Sequence, residues 1–180
     1  MSQSGTSTNI PAALQAYPYF GDDYRNKLKD YVIKYKALND GYDKENPYGV
    51  PISARGWAGN TIIIDWAITN YYANKYYPAI MGSEYVFKGL NYILGCHPYS
   101  NISFVSTVGA RSKKITYGSN RADFRFIAGG IVPGVLLLKP DFLENKEDWP
   151  FLWGENECVI DTGAAWVLLS GAVNELVNKK

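Results

Sequence analysis

Between Asn60 and Tyr76 the sequence reads NTIIIDWAITNYYANKY, with apolar side chains on almost every side of a helical wheel. At about 3.6 residues per turn, Ile62, Ile63, Ile64, Trp66, Ala67, Ile68, Tyr71 and Tyr72 cannot all face one neighbour. Such a helix needs partners on several sides. The chain has 180 residues, enough for one domain with a real core. An all-round apolar helix in so short a chain also points to neighbours that the chain does not itself contain.

Three further helices follow from periodicity. From Asp22, the residues Leu28, Tyr31, Val32, Tyr35 and Leu38 recur at spacings of three and four. Asp22 or Asp23 caps that helix and Asn39-Asp40-Gly41 ends it. A second runs from the N-cap Ser83 to about Leu94, with Val86, Leu90, Ile93 and Leu94 as its stripe and Gly95 as its stop. The last begins near Glu155 and runs to about Asn178, with Val159, Thr162, Trp166, Leu169, Val173 and Leu176 on one face. Residues 1–20 are small, polar or proline-containing and read as a flexible N-terminal arm. Between Cys96 and Gly154 no helical pattern appears for about sixty residues, a length usually kept for function. There ISFVSTV suits a short strand, and Ile131–Leu138 is apolar enough to be buried. The expected class is therefore all-α, with about four helices and long aromatic, glycine-rich loops. This is how a helical toroid with its binding loops at one end is organised, although four helices are too few to close the ring.

Composition removes several functions. A formal charge of +1, without runs of like charge, gives no electrostatic case for nucleic acid or an acidic membrane surface. The longest uncharged apolar stretch, Ile127–Leu138, is too short and too broken by glycine and proline to span a bilayer. No signal peptide is expected from MSQSGTSTNI, which is polar rather than a basic stretch followed by an apolar one. Two cysteines, Cys96 and Cys158, and one histidine, His97, do not make a structural zinc site, and no metal or cofactor is expected. The cysteines are expected as buried or inert thiols rather than as a disulfide. With His97 alone, a Ser/His/Asp arrangement is unsupported, and no phosphate-binding glycine motif occurs. What stands out is an aromatic content of 15%, including fifteen tyrosines and five tryptophans. Most must pack the core; a few exposed beside carboxylates would form sugar platforms.

Carboxylates come into focus in WGENECVIDTGAAW, Trp153–Trp166. Glu155 and Glu157 sit just ahead of an apolar run, where acids favour a helix start. Glycosidic hydrolysis needs a protonated acid at the leaving oxygen and a second carboxylate opposite it. Partial burial of Glu157 would hold its proton on, while a helix N-terminus would favour the ionised form. YGSNRADFRF offers Arg121 for sugar hydroxyls, or for pairing with Asp123. NPYG, Asn46–Gly49, reads as a turn. Trp57 suits either a sugar platform or packing. His97 reads as a structural partner of a helix C-terminus, and Asn101-Ile102-Ser103 is formally a glycosylation sequon.

Taken in order, these segments resemble the glycoside hydrolases of family nine, which include many cellulases. NPYGVPI (Asn46–Ile52) with GWAGN (Gly56–Asn60) is similar to that family's NPYG…WGSN, and LNYILGCHPYSNISFVSTVG (Leu90–Gly109) to its NYLLGxNPxxxSFVTGxG. GGIVPGVLL is loosely similar to its PGxLxGG. ENECVIDTGAAW resembles its NEVAIDYNAxF, with Asn156, Glu157, Ile160, Asp161 and Ala164 in register. The resemblance implies an (α/α)6 toroid of which residues 21–180 form the C-terminal part, with Glu157 as general acid. It also implies sugar contacts from Arg121 and Asn120, where GSNR replaces the usual PHHR, and a cleft lined by Trp57 and Tyr48. Ser119 and Asn120 in place of histidines, with Thr162 and Gly163 in place of tyrosine and asparagine, point away from cellulose itself toward another β-linked oligosaccharide. The family's aspartate base, carried on a DAGD-type motif, has no counterpart here. The implied function is inverting hydrolysis of β-linked glucan or a related oligosaccharide, by a secreted or periplasmic full-length enzyme. This chain alone, lacking the missing N-terminal part of the catalytic domain, would be inactive. The alternative is a non-catalytic carbohydrate-binding or scaffold fragment.

Overall fold

The computed structural model describes residues 9–52, 59–114, 127–134, 157 and 159–178. Five α-helices dominate them: α1 (Asn9–Gln15), α2 (Asp22–Glu45), α3 (Gly59–Tyr76), α4 (Glu84–Ile93) and α5 (Ile160–Asn178). A single 3-10 turn at Tyr17–Tyr19 links α1 to α2, and two short strands, β1 (Ile102–Ser103) and β2 (Arg111–Ser112), pair in parallel.

The all-round apolar helix α3 is the centre. Ile63, Ile64, Trp66, Ala67, Ile68, Tyr71 and Ala73 are all buried. Hydrogen bonds fix the direction of each neighbour. Tyr77 Oη donates to the Arg25 carbonyl at 2.7 Å and Trp66 Nε1 to Asn39 Oδ1 at 2.8 Å, so late α3 meets early α2 and the two are antiparallel. After α3 the chain turns at 77–83, where Asn74 Nδ2 donates to the Met81 carbonyl, and α4 runs back so that Gly89 meets Ala67. The hydroxyls of Thr61 and Thr162 bond at 2.6 Å, and Tyr71 Oη donates to Glu175, so α3 and α5 are parallel. Helices α3 and α5 run parallel, and α2 and α4, both antiparallel to α3, are joined to each other by Tyr85–Asp40 and Lys88–Asp43. This is an arc of an all-α toroid.

Three expectations change. The first twenty residues are not simply an arm, because from Asn9 they form α1 and the turn after it. Pro11 sits in the first turn of α1, where its missing N–H costs nothing, and Ile10, Ala13, Leu14 and Tyr17 follow at helical spacing. Leu14 is fully buried, and Tyr17 stacks on Tyr76 with ring centroids 4.6 Å apart. Secondly, α2 runs through Asn39-Asp40-Gly41 to Glu45. Asn39 is a core residue there: it accepts from Trp66 Nε1 and donates to Asn70 Oδ1 at 2.6 Å, while Tyr42 packs edge-on against Trp66. The buried stripe is Leu28, Val32, Tyr35, Asn39 and Tyr42, and Tyr31 and Leu38 lie outside it. Thirdly, α5 starts at Ile160, so Asp161 is the acid of its first turn and Glu157 precedes the helix. The apolar surface that lacks a neighbour is also on α5 rather than α3: Ile160 is 85% exposed, and Val167, Leu168 and Val177 are open as well.

Candidate functional site

Because α3 and α5 run opposite to α2 and α4, the N-termini of the first pair share one end of the arc with the C-termini of the second. The long connections after α2 and α4 therefore open at that end, which the toroid expectation requires. The opposite end carries the short link 77–83.

At the loop end the segments are tied together residue by residue. Asn46 opens the NPYG turn: its Oδ1 accepts from Tyr48 N at 3.0 Å and its Nδ2 donates to the Val50 carbonyl at 2.8 Å. Asn60, at the start of α3, donates from its backbone to Pro133 and from Nδ2 to Val132 at 3.0 Å, holding 131–134 over the helix. Gly134 has φ +84°, and a Cβ there would strike the Asn60 side chain. Val132 N donates to the Phe104 carbonyl and Phe104 N to the Ile93 carbonyl, linking that segment through β1 to the end of α4. Gly95, at φ +81°, stops α4 as its place in the sequence predicts, with Ile102 packed against the position of a Cβ.

His97 lies inside this construction. Its Nε2 is 2.9 Å from the Tyr92 carbonyl, in the last turn of α4, and its Nδ1 is 3.3 Å from Ser100 Oγ. A carbonyl only accepts, so Nε2 carries a proton. Tyr48, Tyr92 and Phe104 surround the imidazole at 5.0–5.5 Å between centroids. His97 is thus the buried helix-end partner read from the sequence, and it joins the loop after α4 to the turn after α2.

Of the expected site residues, the described residues include Glu157 and Tyr48. Glu157 is half-buried and stands two residues before Val159, whose carbonyl accepts the first bond of α5 from Gly163. Tyr48 is half-buried with its ring edge-on to Tyr92 and His97. Trp57, Asn120 and Arg121 lie outside the described residues, as do Glu155 and Cys158. Cys96 is a free thiol and is exposed rather than buried, because it follows the Gly95 stop at the surface end of α4.

One acid went unremarked in the sequence. Asp65, on α3, keeps solvent access, yet the protein crowding its carboxyl pushes its pKa up. It stands one turn, about 6 Å, beyond Thr61 and away from the loop end. Glu157 precedes Thr162 on the loop side, so the two carboxylates sit at different levels of the α3–α5 pair. The signal for Asp65 was available: a lone carboxylate inside an all-round apolar helix.

Among the described residues no group of histidine, cysteine, aspartate and glutamate side chains is arranged to hold a metal ion, and no helix is long and apolar enough to cross a membrane.

Comparison with solved structures gives a likeness of fold. The chain matches no protein-family model and no curated protein sequence. Its fold is shared with a solved structure, the catalytic domain of Clostridium thermocellum CelT. The TM-score is 0.53 at 20% sequence identity, over 77% of this chain and 31% of that one. The chain thus corresponds to under a third of the length of that structure. The likeness is one of fold.

Proposed function

We propose that the chain is part of a glycoside hydrolase of the family-nine kind, which cleaves β-linked glucan or a related oligosaccharide with inversion, and that Glu157 is its general acid. The observation that carries this reading is the place of Glu157. It is half-buried and precedes the first turn of α5, at the end of the arc where the long loops open. The fold, shared with a catalytic domain, supports it. Glu157 protonates the leaving oxygen as the bond breaks. Arg121 and Asn120 hold the sugar hydroxyls, and Trp57 and Tyr48 line the cleft. An inverting site also needs a carboxylate far enough away to hold a water between. That aspartate is supplied from outside residues 1–180, by the N-terminal part of an exported catalytic domain.

The test uses leaving groups. In the full-length enzyme, Glu157→Gln keeps shape and hydrogen bonding but has no proton to give. It lowers the rate on natural glycosides by about a hundredfold or more, and affects acidic phenol leaving groups far less. Residues 1–180 alone release no reducing ends from β-linked oligosaccharides. Turnover by this chain that Glu157→Gln abolishes would place the base inside it. Loss of the leaving-group dependence would leave a non-catalytic carbohydrate-binding fragment as the better account.

A further inference from the structure

We infer that Tyr19 and Phe20 form a second carbohydrate-binding surface, outside the cleft and at the opposite end of the arc. It takes a β-linked glucan chain, a ligand class that rests on the carbohydrate reading above. Tyr19 is 84% and Phe20 51% exposed, although the turn that carries them is anchored on both sides. On one side Tyr17 stacks on Tyr76, meets Tyr77 edge-on at 5.4 Å between centroids, and has the Arg25 guanidinium 4.7 Å above its ring. On the other, Tyr24 Oη donates to the Ala13 carbonyl at 2.8 Å. Between these anchors Tyr19 N donates to the Ala16 carbonyl and closes the 3-10 turn, in which Pro18 fixes one φ. Phe20 lies against Tyr24 with 4.6 Å between centroids, so one face of its ring is backed while the rest meets water.

A single exposed aromatic is ordinary on a protein surface. Two in succession, on a turn pinned by two packed tyrosines, have already lost much of the freedom that binding would otherwise remove. The chemistry beside them selects the ligand. Asp22 and Asp23 follow directly and are exposed, and Asp22 stands 3.8 Å from the Arg25 guanidinium. Flat apolar rings next to carboxylates and a guanidinium suit a pyranose, whose C–H face stacks on a ring while its hydroxyls hydrogen-bond at the edge. The open face of α5 differs in kind: Ile160, Val167, Leu168 and Val177 are all aliphatic and offer nothing to hydroxyls. Position separates this surface from Glu157. The Arg25 carbonyl accepts from Tyr77 Oη, which puts the start of α2 beside the short link 77–83. The 24 residues of α2 then span about 35 Å to the NPYG turn. A short sugar bound at either place leaves the other free, so the turn serves to hold the protein on a polymer.

The experiment measures adsorption to amorphous cellulose by the chain, by Tyr19→Ala with Phe20→Ala, and by Tyr19→Phe with Phe20→Tyr. Melting temperature and sedimentation are recorded for each. The alanine pair weakens adsorption by roughly fivefold to tenfold with both of those unchanged, and the aromatic exchange retains it. Equal adsorption by the alanine pair overturns the inference and leaves the carbohydrate reading standing. Weaker adsorption with a lower melting temperature assigns the rings to the stability of the turn, and altered sedimentation assigns them to a protein contact; either overturns it. If the unsubstituted chain does not adsorb, the inference falls, and the leaving-group test of Glu157 in the full-length enzyme decides the carbohydrate reading separately.

Discussion

At the scale of single residues, two aspartates on neighbouring helices respond to pH in opposite senses. The Asp65 pKa is raised by the protein around it, so the folded chain holds that proton more tightly than the unfolded chain does. Its ionised form is disfavoured on folding, and stability falls as pH rises through the raised value. Asp65→Asn is therefore expected to raise the melting temperature at pH 7, with the gap closing below about pH 4, where the unfolded carboxyl is protonated too. Melting curves across that range check it; a variant less stable than the parent at pH 7 would show Asp65 to be engaged in a favourable contact. Asp40 behaves the other way. The Lys36 ammonium, with help from Tyr85, lowers its pKa, so its contribution is present at neutral pH and lost as pH falls through the lowered value. Sequence reading placed His97 by its position after a helix stop, where the structure finds it bonded to the last turn of α4. It passed over Asp65 because a charged residue among apolar ones looks like an interruption, and whether such a carboxyl is crowded depends on which helices turn toward it.

At the scale of elements, the glycines separate packing from propensity. Gly89 lets α4 approach α3 so closely that a Cβ would lie 2.7 Å from the Ala67 Cβ. Gly41 lies inside α2 with open space around it. Gly89→Val should cost about 1–3 kcal/mol by overpacking, whereas Gly41→Ala should gain about 0.5–1 kcal/mol from helix propensity and a less free unfolded chain. Urea denaturation of both variants measures this, and a neutral Gly89→Val would mean that α3 and α4 can part without cost. Local and distant contacts divide what was legible. Helices α3 and α4 were readable nearly to their ends, because an apolar pattern and a Ser83/Gly95 frame are local signals. The end of α2 was not, since Asn-Asp-Gly carries a strong stop signal that Asn39 overrides by bonding to Trp66 and Asn70, residues about thirty positions away. Likewise the stripe of α5 was visible, but its start was placed too early because acids before an apolar run look like a first turn.

At the scale of the whole molecule, the arc has an uncovered edge on α5, where Ile160, Val167, Leu168 and Val177 face water. Several large apolar side chains open along one helix are a feature of surfaces that meet a partner. The chain is expected to self-associate, and Val167→Lys with Leu168→Glu should shift it toward monomer without lowering its melting temperature. Sedimentation velocity of both proteins tests this; a parent chain that stays monomeric at high concentration would dispose of the idea. The way α5 is attached has a temporal consequence. Its bonds to α3 join residues 101 and 104 positions apart, whereas α2 and α4 are sequence neighbours of the helix they pack on. Closing so long a stretch of chain costs entropy that short connections avoid. Helices α1 to α4 can therefore condense as a local nucleus, with α5 docking afterwards from far along the chain. Glu157 travels with α5, so the carboxyl on which the proposed chemistry depends arrives with the last piece of the structure to form.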